Sequence, residues 1–184
     1  MPVPDPGLAD LEVPTERLVL RPWRQGDLGA LAQAAADSYI ASITSVPEPY
    51  TVEAGQAFLR RMTELSASGV TVPRAVAERA TGTVVGHVSL RLRDLDLGRA
   101  GLGYWMLPPA RGRGLAREAV AGLTEWAFRR LGVWRAELCI EPWNDASKRV
   151  ALGAGYEREG LLRSYQVMGG RRCDVEMYAR VRDR

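Results

Sequence analysis

The sequence predicts an α/β (α+β) fold: one domain with a mixed, mostly antiparallel sheet flanked by helices. Three observations carry that expectation. A chain of 184 residues suits one domain with a single sizeable core. Segments that alternate with period two interleave with segments whose apolar residues recur every three to four positions. Two strand-like segments close the chain across Gly169-Gly170, as a hairpin does. No internal repeat or linker interrupts the pattern. The domain is therefore expected over residues 15–184, behind a flexible Pro-rich leader over residues 1–14.

The leader carries four prolines. Arg17 to Trp23 reads as a half-buried strand, with Leu18 and Leu20 on one face and Arg17, Val19 and Arg21 on the other. Asp27 is placed to cap a helix whose stripe is Leu28, Leu31, Ala32, Ala35 and Tyr39. Thr51 starts a second helix, striped by Phe58, Leu59, Met62 and Leu65. Val70 to Glu78 is a strand. Val84, Gly86, Val88, Leu90 and Leu92 alternate with Val85, His87, Ser89 and Arg91, the clearest antiparallel strand of the chain. Arg99 to Leu107 is the next strand, ended by Pro108-Pro109, which cannot donate to a ladder. A third helix runs from about Arg113 to Leu131 on a stripe of Ala116, Ala119, Val120, Leu123 and Ala127. Val133 to Glu141 is a strand, and Asn144 to Ala154 a short helix stopped at Gly155. Tyr156–Met168 and Arg172–Arg180 form the closing hairpin.

Composition excludes several classes. No apolar run approaches the roughly 18–20 residues of a membrane span, and Met1 to Gly7 lacks a basic-then-apolar signal pattern. The expectation is a cytoplasmic protein without membrane partners. The formal charge of +3 is a mild bias, and the arginines scatter without aromatic interleaving, which argues against nucleic acid. Lys148 is the only lysine; the arginine skew, with abundant Ala and Gly, suggests a GC-rich bacterial genome. Cys139 and Cys173 with His87 make no metal constellation, so no metal is expected. The cysteines read as small buried hydrophobes of a reducing compartment.

Tyr104 to Val120 is the most informative stretch. A strand ends at Pro108-Pro109, a loop carries Arg111, Gly112, Arg113 and Gly114, and a long amphipathic helix begins at once. A helix N-terminus presents unpaired N–H groups and a partial positive charge. Glycines admit a ligand close to the backbone, and arginines attract it. The combination describes a cradle for a phosphate or pyrophosphate. It is not a P-loop, because no Gly-Lys-Ser/Thr follows. It is not a Rossmann turn either, because Gly101 and Gly103 lie inside a strand.

These residues resemble the GNAT acetyltransferases. Arg111-x-x-Gly114-x-Ala116 matches the family's acetyl-CoA signature at the same strand-to-helix junction, after a strand similar to Gly103-Tyr104-Trp105-Met106-Leu107-Pro108. Asn144-x-x-Ser147-x-x-Val150, followed by Gly155-Tyr156, resembles a signature of the RimJ/RimL-type branch. So does the opening Thr15-Glu16-Arg17-Leu18-x-Leu20-Arg21-Pro22. The matches run in order over about residues 15 to 180. The resemblance implies the GNAT fold with a splayed sheet, and acetyl-CoA or another acyl-CoA as co-substrate. It places the pyrophosphate on the amides of Arg113, Gly114, Leu115 and Ala116, with Arg111 and Gly112 adjoining. It places the pantetheine along Met106 and Leu107, held also by Asn144. Ser147 becomes the acid that protonates the departing thiolate; Asn144 can cap its helix as well as bind.

The sequence departs from the family at the base. Gly101 stands where many relatives carry a glutamate two residues before Gly-Tyr-Trp, and Ala151 where others carry a tyrosine acid. Carboxylates near the splay remain: Glu141 first, then Glu137, Asp174 and Glu176. An α-amine has a pKa of about 7.7–8.0 and is roughly one-tenth neutral at pH 7, whereas a lysine amine is about a thousandth neutral or less. A site without a strong base therefore suits an α-amine acceptor on a protein N-terminus, peptide or small molecule. Trp23, Tyr39, Tyr50, Trp143 and Tyr165 are possible lining residues of its pocket, or packing residues. The missing Gly101 carboxylate also admits a second reading, a CoA-binding regulatory or structural protein with little turnover. The closing hairpin offers a free edge to a second copy of the chain, a homodimer.

Overall fold

The computed structural model describes residues 8–183. Among them lie β1 (Val13–Pro14), β2 (Leu18–Arg21), α1 (Leu28–Ala35), α2 (Ser38–Ile43), α3 (Val52–Ala67), β3 (Thr71–Glu78), β4 (Val84–Arg91) and β5 (Arg99–Met106). They are followed by α4 (Leu115–Arg130), β6 (Arg135–Ile140), α5 (Asp145–Gly153), β7 (Glu157–Met168) and β8 (Arg171–Val181). The strands make one sheet in the order β1-β2-β3-β4-β5-β6-β8-β7. Neighbours are antiparallel except β5 and β6, which the crossover helix α4 makes parallel. The hairpin strand β7 ends up at the sheet edge.

Both faces of the sheet are covered, so apolar residues bury on both. One face packs Leu18, Leu20, Val88, Leu90 and Leu102 against Leu115, Ala119, Val120 and Leu123 of α4. The other packs Ala75, Ala77 and Trp105 against Leu31, Ile40, Phe58 and Met62 of the first three helices. Thr51 caps α3 as read, its Oγ1 accepting from the Ala54 N–H at 3.1 Å.

Four local readings change. Of the leader expected over 1–14, residues 1–7 lie outside the described residues. Residues 8–14 are packed rather than flexible: Leu8 and Val13 are buried, and β1 pairs with β2. Asp27 does not cap α1. Its carboxylate makes a two-pronged ion pair with Arg21 at 2.8 and 2.9 Å, both groups buried, which outbids a helix amide. The first helical stripe is two helices, because Asp37 interrupts it and caps α2 by accepting from the N–H groups of Tyr39 and Ile40. The alternation of β4 breaks at its start. A bulge opposite Val76/Ala77 puts Val84 on the α1–α3 face and Val85 with Val88 and Leu90 on the other. Gly86 sits in that irregularity, where a Cβ would come within 2.5 Å of the Trp105 carbonyl oxygen. Cys139 and Cys173 lie on β6 and β8 as free thiols, each only partly buried.

Candidate active site

The parallel pairing of β5 with β6 is short. It runs from Arg99↔Arg135 to Leu102↔Leu138 and stops, while β6 stays paired with β8 as far as Ile140. The sheet therefore splays between Gly103–Met106 and the end of β6. The phase of the β4–β5 ladder decides which groups face the gap. Leu107 N–H donates to the Val85 carbonyl at 2.9 Å, so Leu107, Trp105 and Gly103 direct their polar groups at β4. Tyr104 and Met106 direct theirs across the splay. The Met106 carbonyl accepts from Arg111 Nε at 3.0 Å. The Met106 N–H is left facing the gap.

Next to this gap the chain turns into α4. Gly112 and Gly114 both have positive φ, +73° and +76°, a left-handed geometry that side-chain-bearing residues avoid. Alternating them with Arg113 makes a concave run of amides of the kind that binds anions. Among the described residues, the N–H groups of Gly112, Arg113, Gly114, Leu115 and Ala116 have no protein acceptor. Leu115 is buried and Ala116 packs on the core, so the row is rigidly mounted. An open groove of about 460 Å³ lies against it, lined by Arg17, Arg113, Gly114, Arg117 and Glu118 among others. Glu118, in the first turn of α4, receives Thr15 Oγ1 at 2.6 Å and the backbone and side chain of Arg17, each at 2.7 Å. Burial alone would raise its pKa, but these bonds hold it below the ordinary carboxylate value. Arg17 also donates to the Arg113 carbonyl at 3.1 Å, fixing that peptide in the turn.

The two loop arginines are already engaged. Arg113 pairs with Glu78 at 2.6 Å. Arg111 reaches back from the turn to Met106 O and to Asp37, at 2.7 Å, the residue that caps α2. Burial would raise the Asp37 carboxyl, yet the Ile40 and Tyr39 amides and Arg111 lower it below the usual range. Arg111 thus ties α2 to the end of β5.

The opposite bank of the splay is the β6–α5 turn. Asn144 caps α5 with Oδ1 on the Ser147 N–H at 3.0 Å, as the sequence allowed. Its Nδ2 donates to the Tyr39 hydroxyl at 3.0 Å, and that hydroxyl donates to Glu141 Oε2 at 2.8 Å. Trp143, largely exposed, meets the Tyr39 ring edge-on at 5.2 Å. Burial first, and then the Glu141 carboxylate, push the Tyr39 phenol well above its ordinary pKa, so it remains a donor. The Ser147 hydroxyl accepts from the Tyr104 phenol at 3.0 Å. Glu141, Asn144 and Ser147 are thus brought together, with Tyr39 and Tyr104 joining them.

Other candidates are placed elsewhere or neutralised. Glu137 pairs with Arg135 at 2.6 Å, Glu176 with Arg158 at 3.2 Å, and Asp174 accepts the Ser164 N–H at 2.7 Å. Glu141 alone of the four accepts from a neutral side chain and makes no ion pair among the described residues. Gly101 is open to explanation too: a Cβ there would meet Arg91 Nε at 3.1 Å, so the place of a strand glutamate is taken by a guanidinium. Trp23 is buried in the core, Tyr50 donates to the Leu28 carbonyl at 3.0 Å, and Tyr165 is exposed on β7. Of the possible lining residues only Tyr39, with Trp143 against it, reaches the cluster. The role of Tyr39 was not legible as more than a lining, and Tyr104 was legible only as part of the strand. Each makes its hydrogen bond to a residue more than 40 positions away.

The acetyltransferase (GNAT) domain family matches residues 17–157. The uncharacterised N-acetyltransferase p20 of Bacillus licheniformis is 30% identical over 165 residues, 90% of this chain and 93% of that protein. Two solved structures share the fold. RimJ of Mycobacterium smegmatis, in complex with CoA-disulfide, superposes with a TM-score of 0.83 at 23% identity, covering 96% of this chain and 89% of its own. The ribosomal-protein-S5-alanine acetyltransferase of Vibrio fischeri does so with 0.78 at 20% identity, covering 95% and 98%. A splayed sheet, a row of amides without a protein acceptor at a helix start and a family match over most of the domain agree: the chain belongs to the GNAT family of acetyl-CoA-dependent N-acetyltransferases.

Proposed function

We propose that the chain moves an acetyl group from acetyl-CoA to an α-amine of a protein N-terminus, peptide or small molecule, by direct attack with both substrates bound. The observation that carries this reading is the pair of banks around one splay. One bank holds unpaired amides for an anion and the Met106 N–H; the other holds a carboxylate without a cation and a serine hydroxyl.

The amides from Gly112 to Ala116 suit the pyrophosphate, because five donors and a helix N-terminus converge without a protein acceptor. The gap beside Gly103–Met106 suits the pantetheine arm, whose amides replace the missing strand neighbour. The Met106 N–H then donates to the thioester oxygen as charge builds on it. Glu141, held by Tyr39, takes the proton the amine loses. Ser147 donates to the departing sulfur. A thiolate with a pKa of about 8.5 is already a fair leaving group, so this donation contributes modestly. The RimJ structure with a CoA disulfide supports the donor assignment, and the name of the Vibrio fischeri protein supports a protein acceptor.

A panel of amines with acetyl-CoA tests the reading through thiol release. Peptides with a free α-amine should turn over at least about tenfold faster than N-blocked peptides bearing lysine, following the neutral fractions of the two amines at pH 7. Faster turnover of lysine side chains would sink the acceptor assignment. Binding of acetyl-CoA without thiol release by any amine would favour a CoA-binding protein with little turnover.

A further inference from the structure

Ala151 stands where relatives with a tyrosine acid carry their phenol, and it is fully buried, so α5 delivers no phenol to the splay. A phenol nevertheless reaches α5 from the sheet. Tyr104 lies on β5 at the start of the unpaired stretch, its ring packed against the α4 face of the core. Its O–H donates to Ser147 Oγ at 3.0 Å.

A serine hydroxyl carries one proton and two lone pairs. Accepting from Tyr104 uses a lone pair on the β5 side, which turns the serine's own proton elsewhere. The backbone of Ser147 is fixed separately, by Asn144 Oδ1 at 3.0 Å. Loop and sheet thus constrain one residue from two directions. We propose that Tyr104 is the positioning residue for Ser147, aiming the serine O–H into the gap between β5 and β6 where the CoA thiolate departs.

This rests on Ser147 serving the leaving sulfur, as proposed above. In the transfer the nitrogen–carbon bond forms, the carbon–sulfur bond breaks, and the electron pair leaves on sulfur. The amine's proton goes to Glu141; the thiolate leaves hydrogen-bonded to the Ser147 O–H, which keeps its proton, and the sulfur is then protonated from solvent. Tyr104 keeps its own proton. Burial pushes its phenol above the ordinary value of about 10 despite the bond to Ser147, so giving a proton to a thiolate near 8.5 is uphill. Its effect is orientation and polarisation, since a hydroxyl that accepts a hydrogen bond donates a stronger one.

A double-mutant cycle tests the proposal, using acetyl-CoA and the best α-amine peptide of the panel. Ser147→Ala should lower kcat about tenfold, below the usual range for general acids because the thiolate leaves readily. Tyr104→Phe keeps the ring and should lower kcat about three- to tenfold, with KM for acetyl-CoA within about twofold. The double variant should be no slower than Ser147→Ala alone. Tyr104→Phe should still slow a Ser147→Thr enzyme, which keeps the hydroxyl. An added loss from Tyr104→Phe in the Ser147→Ala background overturns the positioning role and leaves that of Ser147 standing. A Tyr104→Phe enzyme with raised KM and unchanged kcat overturns it as well. Unchanged kcat in Ser147→Ala overturns both.

Discussion

His87 shows how a single residue's surroundings set its chemistry. Its ring meets Trp23 and Trp105 in a triangle of rings, with centroids 5.9 and 5.7 Å away and the two indoles 6.0 Å apart. Trp23 Nε1–H donates to His87 Nδ1 at 3.1 Å, which leaves the ring proton on Nε2. Burial first, and Arg74 second, push its pKa down to about 3. The folded value therefore lies below the unfolded one of about 6.5. Only the unfolded chain takes up the proton between these values, so the stability held above about pH 6.5 falls as pH drops toward 3. The slope is at most about 1.4 kcal/mol per pH unit. Asn at this position can accept from Trp23 but does not titrate. Melting temperatures of His87→Asn should fall less than those of the wild type between pH 6.5 and 4; parallel curves would contradict the assignment. A sheet-face histidine was legible in the alternation of β4. The two tryptophans that pack with it come from β5 and the segment after β2, and no local pattern links them.

At the scale of elements, the start of α4 was legible almost residue by residue, because a strand end, two prolines, two glycines and a helix stripe are all local signals. The expected start at Arg113 moves to Leu115, since Gly114 keeps a left-handed φ of +76° and stands as the cap. A substitution there tests the cradle. Gly114→Glu puts strain, bulk and negative charge beside five free amides, and should abolish acetyl-CoA binding in calorimetry while the fold persists by circular dichroism. Retained binding would move the cofactor elsewhere. The helix α2 was less legible. Only Tyr39 of its six residues stands in the sequence pattern, as the end of the α1 stripe, and its importance comes from what it reaches. Asp37 holds Arg111 on one bank and Tyr39 holds Glu141 on the other. Those contacts span 74 and 102 positions, beyond any periodicity.

Across the whole molecule, one buried cation fastens the N-terminal segment to the sheet. Arg74 on β3 is fully buried, donating to the carbonyls of Leu8, Leu11 and Pro73 and, at 3.0 Å, to Ser66 Oγ. Burial pushes its pKa down to about 10, so it stays charged at neutral pH. Arg74→Met would leave several buried acceptors unpaired, at a cost of about 2–4 kcal/mol. For a chain of this length the melting temperature should drop roughly 5–12 °C. A drop under about 2 °C would show that the segment docks without it. Composition marks Arg74 only as a polar residue inside an apolar strand, because its partners in the N-terminal segment, Leu8 and Leu11, sit more than 60 positions earlier.

By itself the sequence determined the order and type of most elements, the sheet-on-helix class, the glycine turn into α4 and the family to which they belong. The elements and the turn rest on local signals, namely period, caps, glycines and prolines, and the family on several such motifs in order along the chain. The tertiary structure alone decided that β5 and β6 part after Leu102, and that an arginine occupies the space beside Gly101. It alone decided that Glu141 keeps a phenol instead of a cation, and that Ser147 receives Tyr104. Those are meetings of residues far apart in the chain. Their positions follow from strand order and helix packing, which are collective outcomes of burying both faces of the sheet.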